Sequence, residues 1–230
     1  MKYAFDPGHH ASVAIHGSDE RFPVHRIYCV GRNYADHARE MGGNPEREPP
    51  FFFDKPADAV VENGTNVPYP PRTQNLHHEI ELVVAIGREG KNILLEDANA
   101  FIFGYAVGND LTRRDLQFAA RDVGRPWDTA KGFDHSAPIT AIRRIEDTGV
   151  LDRGEIWLIV NEEQRQTSNL DQMIWSVPEI IAELSQLYTL KPGDLIFTGT
   201  PSGVGPLKPG DEVRGGVELL GTLSFQVVEG

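Results

Sequence analysis

The chain has 230 residues, with 22 Lys and Arg against 34 Asp and Glu and a formal net charge of −12. That length suits a single large domain, and the acidic balance leaves no electrostatic footprint for a phosphate backbone or an anionic lipid surface, so nucleic acid and membrane are excluded as expected partners. Cys29 is the sole cysteine, which excludes an intrachain disulfide and fits a reducing compartment.

The first twenty residues show neither a basic n-region nor a continuous apolar h-region, and no later apolar run reaches membrane-spanning length. A soluble, cytoplasmic protein is expected. Short apolar runs punctuated by Gly and Pro read as a β-rich fold. In chain order, Ile27–Val30 reads as a strand and Tyr34–Met41 as a short helix, with Asn33 as N-cap and Gly42-Gly43 as its stop. Residues 42–76 read as a long irregular stretch; its Phe51-Phe52-Phe53 run suits either a surface wrap or a substrate loop. Strands follow at Glu79–Ile86 and Gly104–Asn109, then a helix over Thr112–Asp122 whose Thr112-x-x-Asp115 approaches a capping box.

Glu155–Val160 is the next strand. The clearest helix is Pro178–Tyr188, with a Ser176-x-x-Glu179 capping box, a first-turn proline and an apolar face of Ile180, Ile181, Leu184 and Leu187. Asp194–Thr198 and Leu219–Val228 complete the strands. KPGD occurs at Lys191–Asp194 and Lys208–Asp211, where Pro-Gly suits a type II turn leading into a strand.

Four segments carry chemistry. In HHEIELVVAI, period-2 alternation points Glu79 and Glu81 to one face of an otherwise apolar strand. A hard cation between them needs a third oxygen ligand, for which Asp110, at the end of the strand GYAVGND, is the candidate; carboxylates without clustered His or Cys favour Mg2+ or Mn2+. A solvated acidic face is the alternative. In GRNYADHAREM, His37 and Glu40 are three residues apart, so on a helix the carboxylate can orient the imidazole as a general base. The segment 112–132 holds several arginines; Arg121 and Arg125 read as surface pairs with nearby acids, and Lys131 as a buried ammonium. In DLIFTGTPSGVGP, the Thr198 and Thr200 hydroxyls and turn N–H groups suit a carboxylate, without the features of a phosphate-binding loop.

Together and in this order, VGRNYADHAREM, HHEIELVVAIG, GYAVGNDLTRRDLQ, WDTAKGFD and FTGTPSGVG resemble the fumarylacetoacetate hydrolase family, over nearly all of the chain from about Arg26 onward. The resemblance implies a β-rich α+β fold, a mixed β-sandwich roll with few short helices and a lid helix, as one catalytic domain over residues 26–230 after a short N-terminal extension, 1–25. It implies a homodimer with Mg2+ or Mn2+ on Glu79, Glu81 and Asp110, and His37, Glu40 and Lys131 as catalytic residues. Arg32, Tyr34, Arg114, Gln117 and Thr200 become substrate-binding residues. YCVGRNY, REPPFFFDKPADAV and GRPWDTAKGFDHSAP resemble the acylpyruvate hydrolases of the family. These imply carbon–carbon hydrolysis of a 2,4-diketo acid, fumarylpyruvate or maleylpyruvate, in gentisate-type aromatic catabolism. The competing expectations are an oxaloacetate decarboxylase, an isomerase/decarboxylase of homoprotocatechuate breakdown, and a non-catalytic metal-stabilised β-sandwich. Arg113, where many relatives have a small residue, either meets the second carboxylate of the substrate or points to solvent.

Overall fold

Ile80–Ile86 lies at the centre of the fold because both of its faces are apolar. Ile80, Leu82, Val84 and Ile86 enter one core cluster, and Val83 and Ala85 enter another on the opposite side. In the computed structural model, which describes residues 2–6, 8, 10–40 and 48–230, this strand sits inside the larger of two main sheets. The order across that sheet is Phe51–Lys55, Ile27–Gly31, Leu195–Phe197, Ile80–Ile86, Ile102–Asn109, Ala137–Ile139 and Val60–Glu62, with Arg143–Arg144 also pairing Ile102–Asn109. Pairing is mixed: Leu195–Phe197 runs parallel to Ile27–Gly31 and antiparallel to Ile80–Ile86.

The second main sheet orders Glu163–Asn169, Glu155–Val160, Glu212–Val217, Gly221–Val228 and Val67–Pro68. Its inward side chains, including Ile156, Leu158, Leu223 and Phe225, join Ile80, Leu82, Tyr105 and Val107 in the first core cluster. A small sheet of Thr112–Arg113, Leu76–His78 and Gly205–Leu207 lies beside them. The result is a β-rich α+β roll with few short helices. The hairpin of Ser12–Ala14 and Arg21–Pro23 contributes Val13 and Phe22 to the second cluster. Among the described residues no helix is long and apolar enough to cross a membrane.

The helix Val177–Leu187 carries the expected capping box, with Ser176 N–H donating to Glu179 Oε2 at 2.9 Å. Four local expectations are corrected. Thr112 and Arg113 do not open a helix; they pair antiparallel with His77 and Leu76, and the helix spans Arg114–Arg121. Sheet pairing claims the Thr112 backbone, and its hydroxyl donates to Asp110 O at 2.9 Å. The stretch read as irregular contains the edge strand Phe51–Lys55 and the strands Val60–Glu62 and Val67–Pro68. Leu219 precedes the last strand, in a turn with φ +70°.

Asn33, finally, does not serve as a helix cap. Its amide donates to Trp175 O at 2.9 Å and Thr198 O at 2.8 Å and accepts from Trp175 N–H at 2.7 Å, tying three segments together. The helix after it is described over Ala35–Glu40; the expected end at Met41 and the Gly42-Gly43 stop lie outside the described residues.

Candidate active site

Glu79 occupies the break between Leu76–His78 and Ile80–Ile86, and Glu81 follows on the same side of the chain. The end of the neighbouring strand fixes Asp110 against them: Asp110 N–H donates to Glu79 O at 2.8 Å, and Asn109 Oδ1 accepts from Glu79 N–H at 3.0 Å. All three carboxylates are buried, and their ligand oxygens lie within 4.8 Å of one another. Three basic side chains face the cluster. Lys131 Nζ lies 2.7 Å from Glu79 Oε2 and 2.6 Å from Asp110 Oδ2. Lys55 Nζ lies 2.8 Å from Asp110 Oδ1, and Arg114 Nη2 pairs with Glu79 Oε1.

Burial alone would raise the Glu79 pKa, but the Lys131 ammonium and the Arg114 guanidinium outweigh it and hold the carboxyl low. Glu81 is pushed the other way, first by burial and then by the negative charge of Asp110 and Glu79. Burial would lower Lys131, and Asp110 with Glu79 more than reverses this. Among the described residues Glu81 has no basic side chain within ion-pair distance and accepts one hydrogen bond, from Gly199 N–H at 2.8 Å. A buried carboxylate without its own counter-charge, in an all-oxygen set, fits a hard divalent cation held by Glu79, Glu81 and Asp110. Gly199 is needed there: its φ is +100°, and a Cβ would lie 2.6 Å from Asn33 Cβ.

The Ala35–Glu40 helix brings His37, 6 % exposed, over the cluster. Glu40 Oε2 lies 3.1 Å from His37 Nδ1, which assigns the proton to Nδ1 and leaves Nε2 basic. Gly203 N–H donates to both Glu40 oxygens, at 3.1 and 3.2 Å, clamping the helix onto the Gly-rich turn. The Glu40 carboxyl would be raised by burial, but the bonds from His37 and Gly203 bring it below its ordinary range. That turn therefore does hold carboxylates, as the sequence suggests, but through Gly199 and Gly203 they are the protein's own. Thr198 is not available to a ligand, because its hydroxyl donates to Leu82 O at 2.9 Å.

One partly open cavity joins these groups. His37, Glu79, Glu81, Asp110, Lys131, Arg32, Arg114, Gln117 and Thr200 all line it; Glu40 stands behind His37. Arg114 Nη1 donates to Gln117 Oε1, so these two are fixed as a unit. Arg32 holds a left-handed backbone at φ +57°, its guanidinium 5.8 Å from the Phe51 ring. Tyr34 is not part of the lining. It is buried beside Met173, and burial and the charge of Glu81 raise its hydroxyl pKa.

Arg113 also lies outside the cavity: its guanidinium stacks 4.4 Å from the Phe133 ring, and Nη1 donates to Thr129 O at 3.2 Å. Arg121, at the end of the Arg114–Arg121 helix and read from sequence as a surface pair, does line the cavity. It stacks 4.7 Å from the Phe118 ring while also meeting Asp122 at 3.2 Å. Phe53, Phe118 and Trp127 add an aromatic wall, with Phe53 and Trp127 rings 5.9 Å apart. Phe53 belongs to the run read as either a surface wrap or a substrate loop, whereas Lys55, Phe118 and Trp127 were missed as site residues because nothing local marks them.

A profile of the fumarylacetoacetate (FAA) hydrolase C-terminal family matches residues 26–228. The fumarylpyruvate hydrolase of Ralstonia sp is 48 % identical over 180 residues, 78 % of this chain and 93 % of that protein. The mitochondrial oxaloacetate tautomerase of Mus musculus is 43 % identical over 204 residues, 87 % of this chain and 90 % of that one. The crystal structure of the Pseudomonas aeruginosa fumarylpyruvate hydrolase in complex with Mn2+ and pyruvate superposes with a TM-score of 0.98 at 52 % identity, covering all of both chains. With an acidic triad, a His–Glu pair and a Gly-rich turn around one cavity and this extent of similarity, the chain belongs to the fumarylacetoacetate hydrolase family.

Proposed function

We propose that this protein hydrolyses the carbon–carbon bond of fumarylpyruvate, or its cis isomer maleylpyruvate, to pyruvate and the C4 dicarboxylate. The observation that carries the reading is the His37–Glu40 pair, 3.1 Å apart, on the same cavity as the acidic triad: a base beside a cation site is what water attack on a diketo acid requires. Glu79, Glu81 and Asp110 hold Mg2+ or Mn2+, which when bound supplies Lewis-acid stabilisation of the 2-oxo oxygen and positive charge for the neighbouring carboxylate. The Pseudomonas aeruginosa relative, solved in complex with Mn2+ and pyruvate, supports a divalent cation and a pyruvyl ligand.

His37 Nε2 takes a proton from a water that attacks the C4 carbonyl, with Glu40 keeping the ring in position. Breaking the C3–C4 bond releases the dicarboxylate and the enolate of pyruvate. The Lys131 ammonium, already set among the carboxylates, stabilises the oxyanion as it develops, and the proton on His37 is available to complete pyruvate at C3. Arg114, Gln117 and Thr200 orient the pyruvyl end. At the outer end, Arg32 and Arg121 with the Phe53, Phe118 and Trp127 wall suit an acyl group that ends in a carboxylate, the role that Arg113 does not fill.

The test follows loss of the diketo-enol ultraviolet band for each isomer with Mn2+ present, with pyruvate release in parallel. His37→Ala lowers hydrolysis by about 10²–10⁴-fold and leaves Mn2+ binding intact, whereas Glu81→Ala loses both. Equal Mn2+ affinity in wild type and Glu81→Ala, or hydrolysis retained by His37→Ala, overturns the reading. Turnover of oxaloacetate alone favours tautomerase chemistry, as in the name of the mouse relative, or the decarboxylase alternative.

A further inference from the structure

Gln166 lies on Glu163–Asn169, a strand whose sequence, EQRQTSN, is polar throughout, yet this side chain is 1 % exposed. A buried amide must satisfy both its ends, and the partners here leave one arrangement. Gln166 Oε1 lies 3.2 Å from Ile80 N–H, an obligate donor, and 2.9 Å from His78 Nδ1. Gln166 Nε2 lies 2.8 Å from Pro201 O, an obligate acceptor, and 2.8 Å from Thr200 Oγ1. The oxygen therefore faces Ile80 and His78, and the NH2 group faces Pro201 and Thr200. It follows that His78 carries its proton on Nδ1 and that Thr200 accepts from Gln166. With a lone pair of Thr200 taken from behind, its own O–H is left to donate, and Thr200 lines the cavity.

We infer that Gln166 is a positioning residue which, held by His78 and Ile80 N–H, sets the polarity of the Thr200 hydroxyl so that it donates to the carboxylate of the pyruvyl end. The inference rests on the reading of this cavity as a pyruvyl site. It gives Thr200 a fixed direction rather than a rotating hydroxyl, and a preorganised donor loses nothing to reorientation when the anion arrives.

Gln166→Glu tests it with little change of shape. The introduced carboxylate still accepts from His78 and Ile80 on one oxygen, but on the other it now accepts from Thr200, turning that hydroxyl away from the cavity. Pyruvate is the probe, as a competitive inhibitor of hydrolysis with Mn2+ present, alongside direct Mn2+ titration. The inhibition constant for pyruvate rises about tenfold or more in Gln166→Glu, at least as far as in Thr200→Val, while Mn2+ affinity stays within about twofold. In the Thr200→Val background, Gln166→Glu adds no further loss, because its effect runs through that hydroxyl.

Gln166→Met, which removes the donor without adding charge, moves the constant the same way and covers the case in which Gln166→Glu fails to fold. Unchanged pyruvate inhibition in any of these variants, or losses that multiply in the double variant, overturns the inference. A wild-type protein that pyruvate does not inhibit overturns instead the reading of the site beneath it.

Discussion

Lys55 decides how the acidic cluster is balanced. Its side chain is wholly buried, with Nζ 2.8 Å from Asp110 Oδ1 and donating also to Leu111 O at 3.2 Å and to Lys131 O. It thus holds the Asp110 carboxylate and, through a carbonyl, the backbone of Lys131. Stripping a buried charge of its last partner costs about 3–5 kcal/mol; Asp110 keeps Lys131 at 2.6 Å, so Lys55→Met lowers the stability of the metal-free protein by less than that. A bound cation restores the missing positive charge, so Mn2+ raises the melting temperature of Lys55→Met more than that of wild type. Calorimetry with and without Mn2+ reads this directly, and equal shifts would rule out charge compensation by Lys55. Lys55 sits in FDKPAD, inside the stretch read as irregular, and its partner comes from another strand end. Glu79 and Glu81 were legible because strand alternation places them together, and His37 and Glu40 because helical spacing does.

At the level of elements, the Arg114–Arg121 helix shows how a local signal is reused. Asp115, expected to help cap a helix from Thr112, instead fastens the helix to the preceding loop. Its carboxylate accepts from Thr73 Oγ1 at 2.6 Å, Gln74 N–H at 3.0 Å and Leu116 N–H at 2.9 Å. Burial works to raise its pKa, and these bonds outweigh it, so the carboxyl lies below its ordinary value. A carboxyl depressed in the folded state contributes stability that is present above its unfolded pKa and is lost as the pH falls through its folded one. The melting-temperature gap between wild type and Asp115→Asn therefore holds above about pH 5 and narrows as the pH falls from there through the folded pKa, and a gap constant down to about pH 2 would contradict the assignment. By contrast, the box at Ser176 and Glu179 was fully legible, since both of its bonds close within one helical turn.

For the whole molecule, the packing of two core clusters around the larger sheet leaves Cys29 1 % exposed, and burial raises its thiol pKa well above the ordinary range. A thiol reagent leaves the native protein unmodified and titrates this one cysteine after unfolding in guanidinium; rapid native modification would show that the Ile27–Gly31 strand opens without global unfolding. By itself the sequence determined the class of fold, the acidic pair, the third carboxylate and the His37–Glu40 pair, because backbone periodicity or motif order declares each of them. Only the tertiary structure decided that Lys55 meets Asp110, that Gln166 meets Thr200, and that Arg121 faces the cavity while Arg113 turns to Phe133. The reason is physical: spacing along one strand or helix fixes the direction of near neighbours, whereas contacts between distant segments depend on sheet order and register, which no local pattern encodes.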